Sequence, residues 1–262
     1  MLTEHSVAEA VHAAGLPARS AYVVSTGSTN ADLTAAGDAG AAGWTVLVAG
    51  YQEAGRGRMG RTWIAPPGSS LLASVLLRPA ITIEEAPLVS MAAAASMAEA
   101  IEALSGVPVS CEWPNDLVTR PDGRKLAGIL AESRIEDGRL RHVVVGVGVN
   151  LTQSGADFPD GLRLPATSLS IEGSNPEPAA LLQAFLQRLR GPFDPDAEGF
   201  ASTVLQAYRP RCATVGRLVR ATTLTGELVE GRAVEIGPAG QLVVATASGH
   251  VAVAFGEVER LD

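Results

Sequence analysis

Three arginines and three glycines fall within the seven residues Gly55-Arg56-Gly57-Arg58-Met59-Gly60-Arg61, directly after an apolar run ending at Tyr51. Glycine permits positive φ and close backbone approach, and each guanidinium offers a planar fork of donors matched to carboxylate and phosphate oxygens. The chemistry such a cluster suits is the capture of a small anion; taken alone, it also fits a solvated, arginine-rich turn. The Gly-Lys-Ser/Thr ending of a Walker A loop is absent. With few β-branched residues to hold it, the segment reads as a loop that an anion would order.

Of the 20 basic residues, 19 are arginine and one, Lys125, is lysine. A chain that uses arginine wherever positive charge suffices keeps lysine where a compact ammonium is needed, which makes Lys125 a catalytic candidate. Its segment, Lys125 to Glu132, is apolar on both faces and reads as an inner strand, so the ammonium requires a nearby anion. The turn Asp122-Gly123-Arg124 also allows a plain surface lysine in a hairpin. In Val143 to Asn150 the odd positions are all valine, and the even positions run Val144, Gly146, Gly148, Asn150. Side chains alternate along a strand, so one face is an apolar wall and the other a bare shelf for a planar ring, with Asn150 at its edge. A purely structural strand remains the competing reading. Glu112-Trp113-Pro114-Asn115-Asp116 is a proline-fixed turn presenting an amide and a carboxylate, and Asp116 suits either a magnesium ion or Lys125. Four histidines without clustering give no metal signature.

These segments need a scaffold. The 262 residues allow one large domain or one large and one small. Forty-seven per cent are hydrophobic, enough for a core without disulfides, and Cys111 and Cys212 make no disulfide framework. The net charge of −8 argues against nucleic acid as partner. No export signal opens the chain, and the apolar stretch Leu88 to Leu104 is interrupted by Ser90, Ser96, Glu99 and Glu102, so a cytoplasmic chain without membrane contact is expected.

Patterning predicts a short helix within Leu2 to Leu16, a strand at Ala21 to Ser25, and a helix capped by Ser28 that stops at Gly37. Strands follow at Trp44 to Tyr51 and Leu71 to Leu77, then a long helix from Glu84 to Leu104. Strands near Leu117, at Lys125 to Ile135 and at Leu140 to Asn150 complete a mixed sheet with helices packed on it. Asp157 to Pro178 reads as loop, and Ala179 to Leu189 and about Ala197 to Tyr208 as helices. Short β runs (Leu218 to Thr222, Leu228 to Ile236, Leu242 to Ala247, Val251 to Phe255) suggest a small barrel, with domains expected at 1–213 and 214–262.

Together, Ser28-Thr29-Asn30, Gln52 with the glycine–arginine loop, Trp113-Pro114-Asn115-Asp116, Lys125-Leu126-Ala127-Gly128 and Gly146 to Asn150 resemble the ordered motifs of biotin protein ligases. The resemblance is strong over 22–150 and looser beyond. It implies an α+β catalytic domain, a mixed sheet with helices similar to class II aminoacyl-tRNA synthetases and lipoate ligases, and a small C-terminal SH3-like β-barrel. With little chain before the first strand, the expected form is monofunctional, without a winged helix-turn-helix.

The reaction implied joins biotin and MgATP into biotinyl-5′-AMP, then transfers biotin to a lysine of a biotin carboxyl carrier domain of an acyl-CoA carboxylase, by a monomer or weak dimer. By motif, Ser28, Thr29, Asn30 and Gln52 would line the ureido pocket, with Gly55, Gly57 and Gly128 allowing backbone approach. Arg56, Arg58 and Arg61 would meet the biotin carboxylate and the phosphates. Lys125, Arg56 and Asp116 would carry catalysis, Asn115 and Asn150 would serve the nucleotide, and Trp63 would pack over the ligand. ATP, biotin and magnesium are the implied small molecules. The rivals are a lipoate or octanoate ligase of the same fold and a non-catalytic biotin- or nucleotide-sensing regulator. One departure stands out: many relatives carry lysine directly before Trp-Pro-Asn-Asp, and this chain has Glu112, with Arg120 or Arg124 as candidates to compensate.

Overall fold

The computed structural model describes residues 2–16, 19–194, 199–223, 226–254 and 256–261. In chain order the elements are α1 (Glu4–Ala13), β1 (Ser20–Val23), α2 (Thr29–Asp38), β2 (Thr45–Ala49), β3 (Ser70–Leu77), α3 (Leu88–Ser105), β4 (Val109–Glu112), β5 (Asp116–Thr119), β6 (Lys125–Glu136), β7 (Arg139–Asn150), α4 (Pro178–Arg190) and α5 (Phe200–Tyr208). Five strands follow: β8 (Leu218–Thr223), β9 (Leu228–Ile236), β10 (Leu242–Thr246), β11 (Gly249–Val253) and β12 (Gly256–Arg260).

The first seven strands form a mixed sheet in the order β1-β2-β3-β7-β6-β5-β4, in which β1 and β2 are parallel and the other pairs antiparallel. Alternation decides its two faces. Leu71, Ala73, Val75 and Leu77 of β3 and Val143, Val145, Val147 and Val149 of β7 enter the main core, against α3. Leu76 and Val144 point the other way and pack on Leu33 of α2. Further along that second face the even positions are Gly146, Gly148 and Asn150, as the sequence pattern requires, and the face opens into a cavity.

α3 is long and apolar enough, by length and composition, to cross a membrane. Its residues, Met91, Ala94, Ala98 and Ile101 among them, are buried in the main core, and it packs on the sheet, α4 and α5. The C-terminal strands form a five-stranded antiparallel sheet, β11-β10-β9-β8-β12.

Several boundaries differ from expectation. α2 runs through Gly37 to Asp38, because Gly37 lies where a Cβ would come 2.9 Å from the His142 ring; the glycine serves close packing, not termination. α3 begins at Leu88 because Thr82 and Glu85 bond reciprocally, Thr82 N to Glu85 Oε2 and Glu85 N to Thr82 Oγ1, closing a separate turn ahead of Pro87. The short strands β4 and β12 were not foreseen. Ala197, Thr225 and Phe255, and the terminal Met1 and Asp262 of the expected domains, lie outside the described residues.

Candidate functional site

A cavity of about 640 Å³ opens on the glycine face of the sheet, within the range of small-molecule sites. The glycine–arginine loop, the 113–116 turn, β6, β7 and the 158–166 segment enclose it. Among the described residues, Arg56, Arg58, Arg61, Lys125 and Arg163 line it, against the single carboxylate of Asp116. A cationic pocket has therefore been built into a chain of net charge −8.

Lys125 begins β6 beside Asp116, which begins β5. Its Nζ lies 2.7 Å from Asp116 Oδ1, and the other carboxylate oxygen takes Arg163 Nη2 at 3.0 Å. The Asp116 side chain is 6% exposed, so this charge is compensated on both sides, as burial demands. Backbone bonds from Lys125 N to Pro165 O (2.7 Å) and from Thr167 N to Lys125 O (2.9 Å) hold the strand end against the loop. The anion required by the lone lysine is thus present.

Asp116, Gly128 and Gly148 stand side by side across β5, β6 and β7. The shelf expected for a planar ring is here covered by Trp63. A Cβ at Gly148 would come 2.7 Å from Trp63 Cε2, and one at Gly128 3.0 Å from Cζ3. Lys125 Nζ is 5.7 Å from the Trp63 ring centroid, within cation–π range. Gly55 supports the same arrangement, since a Cβ there would lie 2.4 Å from Trp63 O.

The Ser28 hydroxyl caps α2 by accepting from Ala31 N, and Ser28 reaches the cavity. Thr29 sits behind the wall with Gly55 and does not line it; its N and Oγ1 donate to Gln52 Oε1 at 2.8 and 2.9 Å, fixing that amide. Asn30 lines the cavity, but its Nδ2 donates to Leu130 O and Glu132 Oε2 and its Oδ1 accepts from Ser74 Oγ. Asn30 thus lines the cavity where the sequence reading expects it, with both of its N–H bonds made to protein.

Asn150 behaves similarly: Nδ2 bonds Thr167 O at 2.9 Å and Oδ1 accepts from Gln153 Nε2 at 3.0 Å, tying the 151–168 loop to β7. Asn115 Nδ2 donates to Ile129 O, and Ile129 N returns a bond to Asn115 O, so this amide locks the 113–116 turn onto β6. In the glycine–arginine loop, Gly57 N bonds Arg61 O at 2.7 Å, Met59 and Gly60 take positive φ, and Arg58 Nη2 reaches Gly256 O at 3.5 Å. Arg56 pairs with Glu132 at 3.0 Å.

Sequence reasoning missed Arg163, Glu132 and the C-terminal strand. Arg163 lies in a loop with no local signal, yet it touches Asp116 and donates to Val258 O of β12 at 2.7 Å. Glu112, 1% exposed, is paired by Arg260 of β12. The compensating arginines named from sequence face elsewhere: Arg120 pairs with Glu102, and Arg124 with Asp122 and Glu172. The extra cation at the cavity is Arg163.

Residues 27–150 match the Biotin/lipoate A/B protein ligase family, and 214–261 match the biotin protein ligase C-terminal domain. The chain is 35% identical over 220 residues (82% of this chain) to the bifunctional ligase/repressor BirA of Bacillus spizizenii, spanning 66% of that protein's length. It is 34% identical to the biotin--[acetyl-CoA-carboxylase] ligase of Mycobacterium tuberculosis, over 99% of this chain and 96% of that protein. In three dimensions it resembles the biotin protein ligase of Aquifex aeolicus, solved in complex with biotin and ATP, with a TM-score of 0.73 at 23% identity over 92% and 98% of the two chains. That likeness concerns the fold. The full-length match to the mycobacterial ligase, the two family matches in order and the motif residues gathered around one cationic cavity lead to one assignment: the chain belongs to the biotin protein ligases.

Proposed function

We propose that this chain condenses biotin with ATP to biotinyl-5′-AMP and pyrophosphate, then transfers the biotinyl group to a lysine of a biotin carboxyl carrier domain. The observation that carries the reading is the lone lysine, Lys125, held by Asp116 in a cavity otherwise ringed by arginine. Attack of one anion on another is repelled, so fixed cations where negative charge grows are the main requirement, each worth about 3–4 kcal/mol.

The biotin carboxylate attacks the α-phosphorus, the bond to the bridging oxygen breaks and pyrophosphate departs. Lys125 would balance charge on the attacking carboxylate and the five-coordinate phosphorus. Arg56 would take the carboxylate, and Arg58, Arg61 and Arg163 the phosphates. With its oxygens engaged by Lys125 and Arg163, Asp116 suits the orienting role better than that of metal ligand. Magnesium would arrive as the nucleotide's own complex. In the second step the carrier lysine's amine attacks the mixed anhydride and AMP leaves; Trp63 and the loop would keep water from the anhydride until then.

Ser28 and the fixed amide of Gln52 favour a ureido head over a dithiolane. The reading includes two domains, 1–213 and 214–262, the first class II synthetase-like and the second SH3-like. It also places the enzyme in the cytoplasm, where the free thiols Cys111 and Cys212 stay reduced. Incubation with MgATP, a carrier domain and equimolar biotin and lipoate tests it. A carrier heavier by one biotinyl group is expected; a lipoylated carrier favours the rival ligase, and an unmodified carrier with biotin bound favours a sensor.

A further inference from the structure

Six residues form one continuous hydrogen-bonded series behind and beside the pocket. Gln52 Oε1 accepts from Thr29 N (2.8 Å), Thr29 Oγ1 lies 2.7 Å from Ser74 Oγ, and Ser74 Oγ donates to Asn30 Oδ1 (2.6 Å). Asn30 Nδ2 donates to Glu132 Oε2 (2.8 Å), and Glu132 Oε1 meets Arg56 Nη2 (3.0 Å). The series begins at Gln52 and ends at Arg56, four positions apart in sequence, so both ends of this short limb of chain are tied to one buried anchor. Ser74 and Asn30 are 0% and 4% exposed. A Cβ on Gly146 would come 2.2 Å from Asn30 Oδ1, so the amide rests directly on the β7 backbone and has no room to shift that way.

Glu132 is a charged link between this anchor and Arg56 of the loop. The Arg56 side chain is 50% exposed, and an arginine left to solvent would spread over many rotamers. One carboxylate oxygen of Glu132 faces the anchor and the other the guanidinium, so the arginine is held at the cavity before any ligand arrives. The guanidinium carries five donors, which leaves capacity for a second carboxylate beside the first.

We propose that Glu132 is a positioning residue that presets Arg56 for the ligand's carboxylate, coupling the pocket floor to the glycine–arginine loop. The proposal rests on the reading that biotin is the ligand. It also states which part of biotin depends on Glu132: the valerate carboxylate, and not the ureido head.

Calorimetric titration of the full chain with biotin and with biotin methyl ester, which lacks the carboxylate charge, separates this role from a merely structural one. Glu132→Gln keeps an acceptor for Asn30 Nδ2 while removing the charge opposite Arg56. It is expected to weaken biotin binding about tenfold, equivalent to about 1.4 kcal/mol, and to leave the methyl ester within about twofold of wild type. In an Arg56→Gln background the same substitution should cause no further loss. Equal weakening of both ligands, unchanged biotin affinity, or additive losses with Arg56→Gln would each overturn the proposal. Failure of the wild-type chain to bind biotin would instead overturn the functional reading itself, and is distinguished by appearing before any substitution is made.

Discussion

Arg260 of β12 holds Glu112 of β4 across 148 positions of sequence, Nε donating to Oε1 at 2.7 Å and Nη2 to Oε2. Glu112 is 1% exposed, so the pair is buried on the carboxylate side. The two residues bracket the Trp113-Pro114-Asn115-Asp116 turn from the C-terminal sheet, while Arg163 joins the other end of that turn, Asp116, to Val258 of the same strand. Trp113 adds a third tie, Nε1 to Gly240 O at 3.0 Å. The C-terminal sheet is thereby fastened to the residue that orients Lys125.

Removing one partner of such a pair strands a buried charge, at a cost of about 3–5 kcal/mol. Glu112→Lys should be destabilising by that order because it faces Arg260. Adding Arg260→Glu should recover most of the loss. Urea melts of the two single variants and the double variant check this; a double variant no more stable than the worse single one contradicts it.

The Gly148 shelf makes a steric prediction. Gly148→Ala would push its Cβ against Trp63 Cε2, and overpacking of this kind costs about 1–3 kcal/mol unless the ring lifts. The variant is expected to fold but to bind biotinyl-5′-AMP at least about tenfold more weakly, by titration. Trp63→Leu in the same background should relieve the strain in the melting temperature. Unchanged stability and affinity in Gly148→Ala would show that the indole does not depend on the bare strand.

His142 supplies a pH signature unrelated to catalysis. Its ring is buried against Gly37, and burial, reinforced by Arg78, lowers its pKa below the ordinary 6.5. The unfolded chain therefore takes up the proton first as pH falls. The stability tied to the neutral ring is complete above about pH 6.5 and is lost as pH drops through the folded-state value. His142→Gln should flatten the urea midpoint between pH 5 and 7 relative to wild type; an equally steep decline would assign the pH dependence to other groups.

What the sequence revealed, and what it concealed, follows from how local each signal is. The β7 alternation is written in eight consecutive residues, and the core face, the shelf and Asn150 all fall where it places them. The cation loop and Lys125 were legible because their composition is rare in this chain. Glu132 closes a segment that reads as apolar on both faces, and Arg163 falls within the 157–178 stretch that reads as loop, so neither carries a local signal. Their roles arise only when α2 and β12, distant in sequence, fold against them. Gly37 misled for the same reason: its partner, His142, lies on a strand more than a hundred residues later. Asn30 and Asn150 fall at the cavity as expected, but their protein bonding partners, Glu132, Ser74, Thr167 and Gln153, carry no local signal.

Biotin-dependent exchange of labelled pyrophosphate into ATP tests the central claim most directly, because it reports adenylation without the carrier. The wild-type chain should exchange only when biotin is present. Lys125→Arg, which keeps the positive charge beside Asp116 but not the compact ammonium, should bind biotin nearly normally and lose exchange by about a hundredfold or more. Exchange in Lys125→Arg close to the wild-type rate would contradict the account.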